Sequence, residues 1–209
     1  MHTLLYTFLK GLAFGATMAA IPGPILFLII QRTLAEGALI GAFCSLGAVT
    51  AEALYATVAA IGFSYLMQFL IGYQYIFTGI GGAFLIYLGI TTYARTLVFQ
   101  TVRVQGKGLA AAWSSTFLLL LTNPVTIISY SMIFAGLGID GQSAAGSTIA
   151  ALVIGVILGA ASLVGSLILF LHFCRKRLSV ATLNLVNKIA GILLIGFGIA
   201  ALLRTLNVV

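Results

Sequence analysis

The sequence predicts an all-α integral membrane protein with six transmembrane helices, arranged as two inverted three-helix repeats. Three observations carry this reading. The 209 residues are 62% hydrophobic and 6% charged, with a mean hydropathy of +1.22, whereas a soluble domain is about 25% charged. The charges divide the chain into apolar blocks near the ~20 residues that a helix needs to cross a bilayer. Two of those blocks are interrupted by proline in a similar way, at Ile21-Pro22-Gly23-Pro24 and at Thr122-Asn123-Pro124.

The elements follow from the charges in order. Residues 11–31 lie uncharged between Lys10 and Arg32 and form helix 1. A cleaved leader over residues 1–20 is the weaker reading, because Lys10 is its one basic residue and the apolar run continues past Pro24 to Ile30. Helix 2 is expected over about 38–64, with Glu52 near its middle, and helix 3 from about Gly72 to Tyr93. Residues 95–110 are the most polar connection and read as a cytoplasmic linker. Helix 4 is expected over about 111–137, Asp140-Gly141 as a turn, helix 5 over about 145–173, and helix 6 over about 186–206. The uncharged part of helix 6, 189–203, is short, so Lys188 and Arg204 must snorkel towards the headgroups. The organisation is therefore a first repeat (1–94), the linker (95–110) and a second repeat (111–209).

The repeat is visible in the residues. Aligned without a gap, Gly79–Leu97 and Lys188–Leu206 share nine of nineteen positions, including Gly82/Gly191, Gly89/Gly198 and the exit Arg-Thr-Leu at 95–97 and 204–206. Lys10-Gly11-Leu12 echoes Lys107-Gly108-Leu109, each ahead of a proline-broken helix. Three helices per repeat force the halves into opposite orientations, which is the plan of many secondary transporters.

Charge sets the sidedness. The net charge of +7 would suggest nucleic acid in a soluble protein. Here the basic residues lie in loops and at helix ends, so they report topology and contact with anionic headgroups, and no nucleic-acid partner is expected. The connections 1–2, 3–4 and 5–6 carry eight basic residues, and the other side carries Lys10 and Arg204. Both termini are therefore expected outside the cytoplasm, with Trp113 as an aromatic anchor at the cytoplasmic interface.

The breaks are the first candidates for function. Proline has no N–H to donate. Continued as a helix, the first segment would leave the carbonyls of Met18 and Ala20 without partners. Such a break survives at membrane depth only inside protein or beside water. Counted from Gly11 to Ile21, helix 1 is about 16 Å long, which puts the break near the midplane. Pro24 suits the first turn of a new half-helix, whose free N–H groups suit a substrate carboxylate. The competing reading of Pro22, Gly23 and Pro24 is a kink that only shapes packing. At the second break Pro124 frees the carbonyl of Leu120. Thr122, Asn123 and Thr126 can cap the broken helix, bind a polar ligand, or do both.

Glu52 is the sharpest single residue. A carboxyl group in mid-helix marks a functional site in a membrane protein. Ser45, Ala48, Val49, Glu52, Tyr55 and Ala56 share one helical face, small and polar enough to look inward, and Tyr55 is a candidate substrate contact beside Glu52. Glu52 can couple protons, pair with a substrate ammonium, or do each in turn; the competing reading is a neutral carboxyl bonded to backbone or Tyr55. Helix 5 offers only Ser162 and Ser166 in the comparable region, so coupling would rest on the first half. Glu36 and Asp140 read as solvated turn residues. Cys44 and Cys174 read as ordinary apolar residues, since no C-x-x-C pair or metal spacing exists, and no cofactor is expected. Gly11/Gly15, Gly37/Gly41 and Gly155/Gly159 have small-xxx-small spacing, read as packing within the chain, with a homodimer as the alternative.

Pro22-Gly23-Pro24 with Gln31-Arg32 and Gly37, and then Thr122-Asn123-Pro124, resemble the LysE/RhtB family of amino-acid exporters over nearly the whole chain. The resemblance implies a proton-driven exporter of amino acids or related metabolites in a bacterial inner membrane. It also implies an acid in helix 2, commonly aspartate, which Glu52 matches with one extra methylene. The family often carries asparagine shortly after Pro-Gly-Pro; Ile25-Leu26 stand here. Three alternatives have stated requirements. A metal-ion exporter needs clustered acids, Cys or His. A membrane thiol oxidoreductase needs a cysteine pair at equivalent places in the two halves. A passive channel or uniporter would carry no flux against a gradient.

Overall fold

The computed structural model describes residues 2–60, 72–94, 106–123, 126, 129–130, 146–175 and 178–206. The helices are α1 (His2–Ala20), α2 (Pro24–Glu36), α3 (Ala38–Ala60), α4 (Gln74–Ala94), α5 (Gly106–Leu121), α6 (Gly146–Arg175) and α7 (Val180–Leu206). Among the described residues α3, α4, α6 and α7 are each long and apolar enough to cross a membrane, and α1 with α2 is apolar enough as a pair bent by 74° at the break, the form of a broken span or a re-entrant segment. α5 is a shorter apolar helix. Pro124 and the rest of expected helix 4 lie outside the described residues, as do Asp140 and positions 95–105 of the linker.

Three boundaries differ from expectation, each for a local reason. α1 begins at His2 rather than after Lys10, because one lysine does not end a helix when its ammonium can rest 4.5 Å from the Tyr6 ring centroid. α7 begins at Val180 rather than about 186, because the Ser179 hydroxyl accepts the Thr182 N–H at 3.1 Å, an N-cap that starts the helix two turns before Lys188. The last part of the linker, from Gly106, is already helix. The earlier start of α1 also voids the depth counted from Gly11. The neighbours of the break give the depth instead: one cavity there is lined by Ala160, halfway along the 30-residue α6.

The helices pack in three close seams: α1 on α6, α3 on α5, and α4 on α7. In hydrocarbon there is little hydrophobic gain from helix association, so close approach through small residues matters most. In the first seam Gly11 and Gly15 lie against Leu152 and Val156, while Gly155 and Gly159 lie against Phe8 and Leu12. This order makes α1 and α6 parallel. In the second, Gly47 meets Trp113 and the Tyr55 hydroxyl meets Leu121, so α3 and α5 are parallel too. In the third, α4 and α7 are antiparallel. A Cβ on Gly89 would lie 2.8 Å from the Gly191 carbonyl oxygen, and one on Gly198 would lie 2.7 Å from that of Gly82.

α2 crosses the middle of these seams and touches α3, α5, α6 and α7. Each buried cluster takes one of its residues: Ile29 with the α3 core, Leu28 with Leu85 and Leu194, and Leu34 with Leu171 and Leu183. Its far end stops at Gly37, where φ is +110° and only one residue separates α2 from α3. That backbone region is nearly glycine-only.

The α1–α6 seam makes a direct prediction. Gly155→Ala would drive a methyl group into the Phe8 carbonyl, and the expected loss is about 1–3 kcal/mol. Gly165→Ala, whose Cβ would meet nothing within 4 Å, should leave stability unchanged or slightly raised. Thermal unfolding of the two detergent-solubilised variants checks the contrast.

Candidate functional site

The two proline breaks are built alike. At the first, Ile21 N–H donates to the Met18 carbonyl at 3.3 Å. At the second, Asn123 N–H donates to the Leu120 carbonyl at 3.1 Å. In each case the carbonyl four residues before proline, whose helical donor the proline lacks, is taken by the residue just before the proline. The Met18 carbonyl, expected to be left without a partner in a continued helix, is therefore satisfied by a tightened last turn. The next exposed carbonyl at the second break, Leu121, accepts the Tyr55 hydroxyl at 2.7 Å. Tyr55 is thus a buried strut between α3 and the end of α5.

α2 restarts immediately after the first break. Its first amide bond runs from Phe27 N–H to the Gly23 carbonyl, 3.1 Å. The N–H groups of Ile25 and Leu26 are consequently not spent inside the helix, and they stand at the positive end of its dipole.

Two cavities meet at this point, and Ile21, Gly23, Pro24 and Asn123 line both. The smaller, about 80 Å3, continues along α3 and α6, with Ala48, Glu52, Thr126 and Ala160 on its wall. That volume holds several waters. The larger, about 290 Å3, runs between α4, α5 and α7 past Pro22, Thr78, Gly81 and Thr122 to Arg204. Its volume is close to the lower end of small-molecule sites, about 300 Å3.

Glu52 stands on the smaller cavity and is 6% exposed. Its Oε2 is buried and, among the described residues, has no hydrogen-bond partner. Tyr130 is close enough to interact with it electrostatically. Tyr130 also packs edge-on to Phe14 at 4.9 Å and tilts against Tyr55 at 5.9 Å between ring centroids. All six residues of the predicted inward face, Ser45, Ala48, Val49, Glu52, Tyr55 and Ala56, are buried. Sequence reasoning does not single out Tyr130; its one signal is a polar aromatic residue soon after Asn-Pro, flanked by Ser129 and Ser131.

Of the residues singled out from the sequence, the structure brings Gly23, Pro24, Asn123 and Glu52 to the smaller cavity, and Pro22 and Thr122 to the larger. Tyr55 supports the second break instead of lining either cavity. Pro124 lies outside the described residues. Cys44 and Cys174 are free thiols; Cys44 is buried beside Arg32, whose guanidinium lies 3.5 Å from its Sγ.

The other end of α2 is tied down by polar side chains. Buried Gln31 donates to Asn187 of α7. Arg32 donates to the Ser115 hydroxyl of α5 at 3.0 Å. Arg175 of α6 donates to the carbonyls of Leu34 at 2.7 Å and Ala35 at 3.2 Å, capping the last turn of α2.

A helical membrane protein with a broken, centrally placed helix and cavities at membrane depth has the build of a transporter. Comparison with known proteins agrees. The model of the LysE type translocator family matches residues 16–205, and the chain belongs to that family. It is a membrane transporter. An uncharacterized membrane protein of Synechocystis sp. is 26% identical over 199 residues, covering 92% of this chain and 94% of its own length. No solved structure matches the chain.

The Tyr55 strut can be tested alone. Tyr55→Phe leaves the Leu121 carbonyl unsatisfied in an apolar interior, which should cost about 1–3 kcal/mol. Thermal unfolding would show the loss, and Tyr75→Phe, on an exposed position of α4, should show none.

Proposed function

We propose that this protein is a secondary active transporter that exports amino acids or related small metabolites across a bacterial inner membrane by proton antiport. The observation that carries the proposal is the meeting of three features at one depth. These are the unspent N–H groups of Ile25 and Leu26, the buried carboxyl group of Glu52, and two cavities separated by the proline breaks. The head of α2 receives a substrate carboxylate. Glu52 takes a proton from the outer side and releases it to the cytoplasm, and cargo moves the other way.

The same arrangement supports alternating access. The tied end of α2, through Gln31, Arg32 and Arg175, closes one side. The larger cavity lies towards the other, at the end that carries Arg204. We place the closed side in the cytoplasm, where the loops carry most of the basic residues, and both termini outside it. The transport cycle would break those ties and reform equivalent ones at the opposite end.

Two inverted repeats account for the seams. If helices 1, 2 and 3 correspond to helices 4, 5 and 6, the pair α1–α6 corresponds to α5–α3, and α4–α7 corresponds to itself. The glycines behave accordingly. Gly82 corresponds to Gly191 and Gly89 to Gly198, and the contacts are Gly82 with Gly198 and Gly89 with Gly191. Tyr93 against Gly191 and Leu202 against Gly82, and Ile86 against Gly198 and Ile195 against Gly89, exchange in the same way. A two-fold axis in the membrane plane, crossing between antiparallel α4 and α7, produces this exchange.

Proteoliposomes test the mechanism. With a panel of amino acids, wild-type protein should give proton movement driven by one of them, and Glu52→Gln, which keeps the shape but cannot release a proton, should abolish it. Substrate flux without proton movement, unchanged in Glu52→Gln, would replace the antiporter with a uniporter or channel. Sidedness has its own check: a reporter active only in the cytoplasm should be silent when fused at Val209.

A further inference from the structure

We propose that Arg204 and the wall of the larger cavity form a second anion subsite, on the exit path, which holds the carboxylate of the outgoing solute after it leaves the head of α2. This rests on the exporter reading above and adds to it a substrate requirement, a free carboxylate, and a residue that reads it.

The larger cavity begins at the first break and extends to Arg204 near the end of α7. Arg204 stands about 36 Å along α7, whereas Glu52 stands about 21 Å along α3, so the two mark different depths between helices that start at the same end. Among the described residues no acid lines the cavity, and the guanidinium of Arg204, an exposed residue at its outer end, has no hydrogen-bond or ion-pair partner. The remaining polar lining is the hydroxyl groups of Thr78 and Thr122 and the amide of Asn123. Gly81 and Gly82 form the α4 wall, and they hold it close to its neighbours: a Cβ on Gly81 would lie 2.7 Å from the Thr122 hydroxyl oxygen, and one on Gly82 would lie 3.0 Å from the Gly198 carbonyl oxygen.

A planar guanidinium matches a carboxylate through two parallel N–H bonds, and a lone positive charge opposite neutral hydroxyls selects an anion over an ammonium. Two weak anion positions in series suit export. A single tight site at α2 would retain the cargo, whereas a second position lets it step outward at each release. A snorkelling side chain explains why Arg204 lies near a helix end. It does not explain why it forms the wall of a cavity continuous with the break.

The test is binding to the purified full-length protein in detergent free of anionic lipid, read as the rise in thermal midpoint. The probes are L-lysine, L-leucine and L-serine, with the matching amines cadaverine, isopentylamine and ethanolamine. The expectation is that at least one amino acid stabilises wild type and its amine does not. Arg204→Gln should weaken that amino acid by about tenfold or more, with partial recovery in Arg204→Lys. Ala200→Leu, which fills the cavity from α7 without touching the charge, should weaken it as well. Wild-type binding left intact by both Arg204→Gln and Ala200→Leu would overturn the subsite while leaving the exporter standing. Stabilisation supplied wholly by added phosphatidylglycerol, and lost in Arg204→Gln, would make Arg204 a headgroup site and also overturn it. Silence of wild type towards every amino acid would overturn the amino-acid reading itself, and the subsite with it.

Discussion

A proline in an apolar helix leaves one carbonyl without its donor, and in a bilayer nothing from the solvent replaces it. The architecture around the site follows from that constraint. At Pro22 and again before Pro124 the last turn tightens, so that the residue before the proline satisfies the carbonyl three positions back. Tightening ends the helix, and the chain must leave the axis. At Pro22-Gly23-Pro24 it leaves by 74° and begins a new helix at once. A helix that begins in the middle of a protein presents N–H groups that no backbone carbonyl uses. The unspent N–H groups at the head of α2 are thus a consequence of the break rather than an addition to it.

The half-helix α2 then becomes the element around which the others close. It contributes Leu28, Ile29 and Leu34 to three separate apolar clusters. Its final turns are held by side chains from three different helices, Asn187, Ser115 and Arg175. Apolar contacts to every neighbour fix where α2 lies without choosing its exact orientation. Directional bonds through Gln31 and Arg32 choose it. Hydrogen bonds of this kind can be exchanged for others at modest cost, as the proposed transport cycle requires.

Much of this was legible in residue order. The apolar blocks, the two breaks, the buried face around Glu52 and the glycine spacings all appear as local patterns, because helix periodicity and proline chemistry act over a few residues. The helix starts were read less well. Lys10 looked like a boundary, yet its long side chain rests on Tyr6 and the helix runs through it. Ser179 caps α7 through the Thr182 N–H, well before Lys188, the charge that bounds the apolar block. Tyr55 looked like a ligand residue, and its hydroxyl is spent on Leu121, 66 positions away.

By itself the sequence determined that the chain is a membrane protein, where its helices break, and that one acid stands among apolar residues at mid-helix. These depend on composition and on the backbone's need for partners, which each segment carries with it. Only the tertiary structure decided that Glu52 and the head of α2 share one cavity, that Arg204 stands on another, and that Gln31 meets Asn187. Those meetings depend on which helices lie side by side. Helix association in lipid is settled by close fits such as Gly155 against Phe8 and Gly89 against Gly191. Such fits are properties of two surfaces together, and neither surface alone specifies its partner.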